Sequence, residues 1–168
     1  EYYLNSNKVR EFSEFNDYVA AYQAGVSAAF NFSPTQELVL QVTNFRSGED
    51  EDMYVYGRPE GIAKAQVPVI STLNWNGWFA DKSIQLRYAA SWGQQAKGKN
   101  VLYLTAGNIY EKGPVTAYLD VMYSRQGLDN HCIISDMQGP VVEHPVTAQN
   151  TEYLAVIADF DYRFHPNW

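Results

Sequence analysis

No run in this 168-residue chain approaches the roughly 18 consecutive apolar residues that a membrane-crossing helix needs, so a helical membrane protein is excluded. Cysteine is nearly absent. The single Cys132 cannot form an internal disulfide and has no second thiol at metal-pair spacing, which makes it a loop or core thiol. Positive charge is scarce too: 12 Lys and Arg stand against 19 Asp and Glu, a net charge of -7, and no basic stripe is available to neutralise phosphates. Nucleic acid is therefore excluded as a partner. Neither a Gly-x-Ser-x-Gly elbow nor a His-Glu-x-x-His helix is present, and the chain reads as non-enzymatic. His131, His144 and His165 fall in polar stretches with no ligand spacing to one another, so neither a metal nor a cofactor is implied. No signal peptide opens the chain. Export would have removed one, and the start at Glu1 reads as a processed end or an excised segment.

What is present is tyrosine and alternation. Aromatics make up 15% of the chain, 13 of them Tyr, a bias that suits strands. Residues 82–93 carry the pattern clearly: Ile84, Leu86, Tyr88, Ala90 and Trp92 share one parity, and Ser83, Gln85, Arg87, Ala89, Ser91 and Gly93 share the other. A helix would scatter these residues, whereas a strand sorts them into an apolar and a mostly polar face. About ten such residues tilted by about 40° rise roughly 25 Å, the height of the apolar band of a transmembrane barrel. The mean hydropathy of -0.36 is no obstacle, because outward apolar residues average against inward polar ones.

The same period recurs along the chain. Strands are predicted from about 21 to 32, 37 to 45, 66 to 75, 82 to 93, 101 to 110, 115 to 124 and 151 to 164, with residues 1–20 a possible eighth. Tight turns are expected at 33–36, 76–81, 111–114 and after Phe164. Longer polar connections are expected at 46–65, 94–100 and 125–150. All short turns then lie at one end and all long loops at the other, as in outer-membrane barrels. Aromatics collect near strand ends, with Phe32, Trp75, Trp78, Tyr110, Phe164 and Trp168 on the short-turn side and Tyr22, Phe45, Trp92, Tyr123 and Tyr153 on the other. That distribution suits two interfacial girdles. The acidic run 49–52 lacks the spacing and Gly of an EF-hand loop, so it reads as a solvated loop tip rather than a site for calcium or for ions that bridge lipopolysaccharide.

The fold class that follows is all-β: an antiparallel up-and-down transmembrane β-barrel, a meander of about seven to eight strands. Its inward set carries Arg87, Arg163, Asp120, Asp159, Asp161, Gln85, Gln41, Thr116 and Tyr118, the candidate channel-lining residues. A purely structural reading of the same residues pairs Arg163 with Asp120 or Asp161 across strands and fixes register.

Several stretches resemble a known family: residues 34–42 (Pro34-Thr35-Gln36-Glu37-Leu38-Val39-Leu40-Gln41-Val42), 72–77, 118–125 (Tyr118-Leu119-Asp120-Val121-Met122-Tyr123-Ser124-Arg125), and Ala148-Gln149-Asn150 leading through Tyr162-Arg163-Phe164-His165-Pro166. They are similar to the porins of Bacteroidetes-type outer membranes, themselves akin to the phosphate-selective porin O and P group. The resemblance implies a longer barrel, commonly of sixteen strands, of which residues 1–168 would be one region. It also implies an outer-membrane location, contact with membrane lipid and lipopolysaccharide, passage of small polar solutes or ions, and a possible homo-trimer. Phosphate selectivity is not carried over, because the family's selective members line the pore with Arg and Lys while Arg87 and Arg163 here face several carboxylates. The alternation is equally compatible with a soluble lipocalin-like barrel that binds an apolar ligand, the same residues turned inside out.

Overall fold

The computed structural model describes residues 24–44, 62–63, 65–67, 69–128 and 149–164. They form seven strands and no helix: β1 (Gly25–Ser33), β2 (Gln36–Asn44), β3 (Val69–Phe79), β4 (Ile84–Ala96), β5 (Lys99–Lys112), β6 (Val115–Leu128) and β7 (Gln149–Tyr162). Every strand pairs antiparallel with its sequence neighbour, in the order β1-β2-β3-β4-β5-β6-β7. The expected meander is thus present as one sheet. It is open, since no pairing joins β7 to β1 among the described residues. Residues 1–20, the acidic run 49–52, Cys132, His131, His144, His165, Tyr22, Phe45 and Trp168 lie outside the described residues.

Local chemistry accounts for the turns. Between β1 and β2 the chain reverses at Pro34-Thr35, where Ser33 Oγ accepts the Thr35 amide at 3.2 Å, and the Thr35 carbonyl accepts Trp78 N–H at 2.9 Å. Gly113, with φ 59°, supplies the left-handed step of the β5–β6 turn that Pro114 completes. The β3–β4 turn is less comfortable. Ala80, Asp81 and Lys82 all have positive φ (50°, 55° and 68°), a conformation that costs an L-residue about 1–2 kcal/mol.

Two sequence expectations are corrected at this level. Residues 76–79 were expected in a turn but continue β3, because Asn76 pairs with Arg87 and Trp78 with Gln85 in the ladder. Residues 94–100 were expected as a long polar loop; instead β4 and β5 run on through the Gln94–Asn100 pair to a two-residue turn at Lys97-Gly98, Gly98 having φ 72°. Polarity marks where a strand leaves the apolar band, not where it ends. The long connections are therefore 45–68 and 129–148, and the third is short.

Parity sorts burial as sharply as it sorts chemistry. On β6 the even residues Asp120, Met122, Ser124, Gln126 and Leu128 are all buried, while Leu119 and Arg125 are exposed. Along β7, Leu154, Val156, Phe160 and Tyr162 are exposed, and the intervening Tyr153, Ala155, Ile157 and Asp159 are half-buried. The enclosed face is the polar one. Its apolar part is a small cluster of Ile70, Val101, Tyr103 and Met122 with Ala155 and Ile157 packed against it.

The exposed face carries an apolar belt. One cross-sheet row runs Phe30, Leu38, Trp75, Tyr88, Ala106, Val121, Val156, and the next runs Ala28, Leu40, Leu73, Ala90, Leu104, Tyr123, Leu154. Trp75 packs on Tyr88 with ring centroids 5.7 Å apart and on Phe79 at 6.3 Å. The rings meet over Gly77, where an added Cβ would stand 2.7 Å from the Trp75 ring. Polar Asn108 interrupts the belt without leaving its amide bare: it accepts from Tyr88 O–H at 3.0 Å and donates to the Leu119 carbonyl at 2.8 Å. By parity Trp78 and Tyr153 belong to the enclosed face, so they do not join the exposed aromatics as expected.

Candidate channel wall

The enclosed face is a ladder of rows, each made of residues that register places side by side. The middle row reads Asn31, Glu37, Asn76, Arg87, Gly107, Asp120, Ile157. Asn76 Nδ2 donates to Glu37 Oε2 at 2.8 Å, and Asn74 Nδ2 donates to Asn76 Oδ1 at 3.1 Å. Arg87 and Asp120 stand on either side of Gly107, on strands about 10 Å apart. With no side chain between them, the long guanidinium comes within electrostatic reach of the carboxylate. Asp120 is only 8% exposed, whereas Arg87 is half-buried.

Toward the short turns the next row holds Trp78, Gln85, Ile109, Tyr118 and Asp159, and beyond it lie Glu111, Thr116 and Asp161. Toward the other end, Gln41, Thr72, Ser91, Tyr103, Ser124 and Tyr153 share a row, with Thr72 and Ser91 hydroxyls 2.8 Å apart. Gln126 Nε2 donates to Ser124 Oγ at 3.1 Å. Four enclosed side-chain oxygens, Asn74 Oδ1, Thr105 Oγ1, Gln126 Oε1 and Thr151 Oγ1, have no protein hydrogen-bond partner among the described residues. Such atoms are costly in a dry interior and cheap beside water.

Eight of the nine residues singled out from the sequence share this face: Arg87 and Asp120 in the middle row, Gln85, Tyr118 and Asp159 in the next, Thr116 and Asp161 beyond them, and Gln41 two rows the other way. Arg163 is different. It lies one residue past β7 and is exposed, its amide donating to the Pro114 carbonyl at 2.8 Å. Pairing of Arg163 with Asp120 is ruled out by register, since Ile157 is the residue opposite Asp120. The pairing that sequence reasoning missed is Glu37 with Asn76, because residues 76–79 were assigned to a turn. The signal was available: Thr72, Asn74 and Asn76 keep one unbroken parity. Among the described residues no group of His, Cys, Asp or Glu comes together to hold a metal.

A single antiparallel meander with its polar face enclosed and its apolar face exposed defines a class, the wall of a barrel that meets hydrocarbon on the outside. Within that class the chain belongs to the phosphate-selective porin O and P family, whose model matches residues 2–168. Membership implies an outer-membrane porin channel that passes solutes. Neither a curated protein nor a solved structure matches the chain.

Proposed function

We propose that this chain forms part of the wall of a water-filled outer-membrane channel through which small polar or ionic solutes diffuse passively, without catalysis or cofactor. The observation that carries this reading is the direction of burial. Tyr88, Trp92, Leu154, Val156 and Phe160 are exposed, while Gln85, Arg87, Asp120 and Gln126 are not. A water-soluble surface tolerates apolar patches of only about a few hundred Å², whereas this belt runs across all seven strands. Its height supports the same reading. On β6 the outward side chains are apolar from Val115 to Tyr123 and the next is Arg125, ten residue steps beyond Val115, a rise of about 25 Å at a tilt of about 40°. Arg125 meets Glu152 of β7 at 3.3 Å at that border, and Lys112 stands at the opposite one.

A lipocalin-like carrier would need Tyr88, Trp92 and Phe160 inside its calyx, the opposite of their exposure. In the proposed channel the lining is Arg87, Asp120, Gln85, Tyr118, Asp159, Thr116, Asp161 and Gln41, joined by Glu37 and Asn76, with Arg163 at the short-turn mouth. Asp120 offsets the charge of Arg87 and further carboxylates flank the pair, so the wall offers no row of cations to a phosphate. Preference for anionic phosphate is not part of the proposal. Among the described residues the outer edges of β1 and β7 have no strand beside them and call for further strands, which fits a region of a larger barrel. Planar-bilayer recording tests the reading: the full-length protein is expected to give stepwise, ohmic conductance in KCl, and a protein that inserts in lipid without conducting would refute it.

A further inference from the structure

At the long-loop border of the apolar belt lies a cleft of about 370 Å³ lined by Trp92, Gly98, Asn100, Leu102, Arg125 and Asn150, together with Val101, Gln126 and Gly127. Trp92, Leu102 and Arg125 belong to one row of the exposed face, whose next member is Glu152. The cleft is thus apolar toward the belt and polar away from it. Gly127 lets the β5 backbone close in, since an added Cβ there would lie 2.9 Å from Lys99 Cα. Asn150 reaches the same place from β7 with φ 53°, a left-handed conformation that Asn tolerates better than most residues.

We propose that this cleft holds the phosphate of a membrane-lipid headgroup, a reading that rests on the apolar belt facing lipid. The volume is near the lower end of ligand pockets, enough for a headgroup and too little for a whole lipid. Arg125 is the cation that lines the cleft, and it meets Glu152 through Nε at 3.3 Å. A guanidinium carries five donors, more than that single carboxylate oxygen uses, so a phosphate can be bound in addition. The amides of Asn100 and Asn150 supply further neutral donors. Leu102 and the Trp92 ring offer apolar surface to the first carbons of the acyl chains, and Trp is a residue favoured at this depth of a membrane. Binding of a free phosphate would use none of that apolar surface.

Native mass spectrometry of the full-length protein in detergent micelles, titrated with phosphatidylglycerol and separately with inorganic phosphate, tests the proposal. Phosphatidylglycerol is expected to bind, with about a tenfold loss in Arg125→Gln and a smaller loss in Asn150→Gly, which keeps the backbone conformation while removing the amide. Glu152→Gln, by removing a like charge, is expected to tighten binding; weakening would mean that the carboxylate holds the lipid through its glycerol hydroxyls rather than Arg125 through its phosphate, and would overturn the proposal. Inorganic phosphate that displaces the lipid at millimolar concentration would also overturn it. Conductance of each variant is read in parallel. A conducting protein that binds phosphatidylglycerol no better than Arg125→Gln loses the cleft and keeps the channel, whereas Arg125-dependent lipid binding by a protein that does not conduct does the reverse.

Discussion

Val156→Arg separates hydrocarbon from water on the exposed face. Val156 is 58% exposed on β7, four residues from Glu152 at one border and six from Tyr162 toward the other. At about 3.3 Å per residue and a tilt of about 40°, these steps put it roughly 10 Å and 15 Å from the two borders, close to mid-height. Were this face in water, an arginine there would have room and solvent, and stability would change by no more than about 0.5 kcal/mol. Against lipid the same substitution costs about 2–4 kcal/mol. Guanidinium titration of the full-length protein folded in lipid vesicles reads the difference. Asp159→Arg is the control, on the same strand three residues away and on the opposite face; it is expected to alter ion preference and to leave folding nearly unchanged. A Val156→Arg protein as stable in vesicles as its parent would refute the assignment of this face to lipid.

Three further outcomes are expected. Asp120→Asn removes the carboxylate across Gly107 from Arg87 and leaves Glu37 as the acid of the middle row; at about 6 Å from a passing ion in water-like surroundings a unit charge is worth about 0.7 kcal/mol, of opposite sign for anion and cation, so the anion-to-cation permeability ratio should rise by up to about tenfold, and an unmoved reversal potential in a KCl gradient would remove the pair from the lumen. Asn108→Ala strips the Tyr88 hydroxyl of its acceptor on the apolar face and should destabilise by about 1–2 kcal/mol, while Tyr88→Phe added to it should cost little more; full additivity of the two single changes would mean that the 3.0 Å contact contributes nothing. Ala80→Gly relieves one of three consecutive left-handed residues and should stabilise by about 0.5–1 kcal/mol after the flexibility of glycine in the unfolded chain is counted, an expectation that a lowered denaturation midpoint would contradict.

The sheet was legible because period-two alternation is a local property. Residues 84–92 and 154–162 carry their face assignment in their own order, and each strand was found within a few residues of its place. Strand ends were less legible. Gln94, Asn100 and Asn76 look like loop residues because they are polar, yet each sits in the ladder: the hydrogen bonds that hold a strand run through the backbone and do not depend on side-chain polarity.

The order of residues alone determined that one face of this sheet would be oily and the other polar, and that the chain would meander, since short polar segments between alternating runs allow little else. Which face turns inward was decided only by the tertiary structure, because alternation is symmetric under exchange of inside and outside. Neighbourhood across strands was decided there too. Register sets Arg87 and Asp120 on either side of Gly107 and ties Glu37 to Asn76, relations between residues 33 and 39 positions apart in the chain that no local pattern contains.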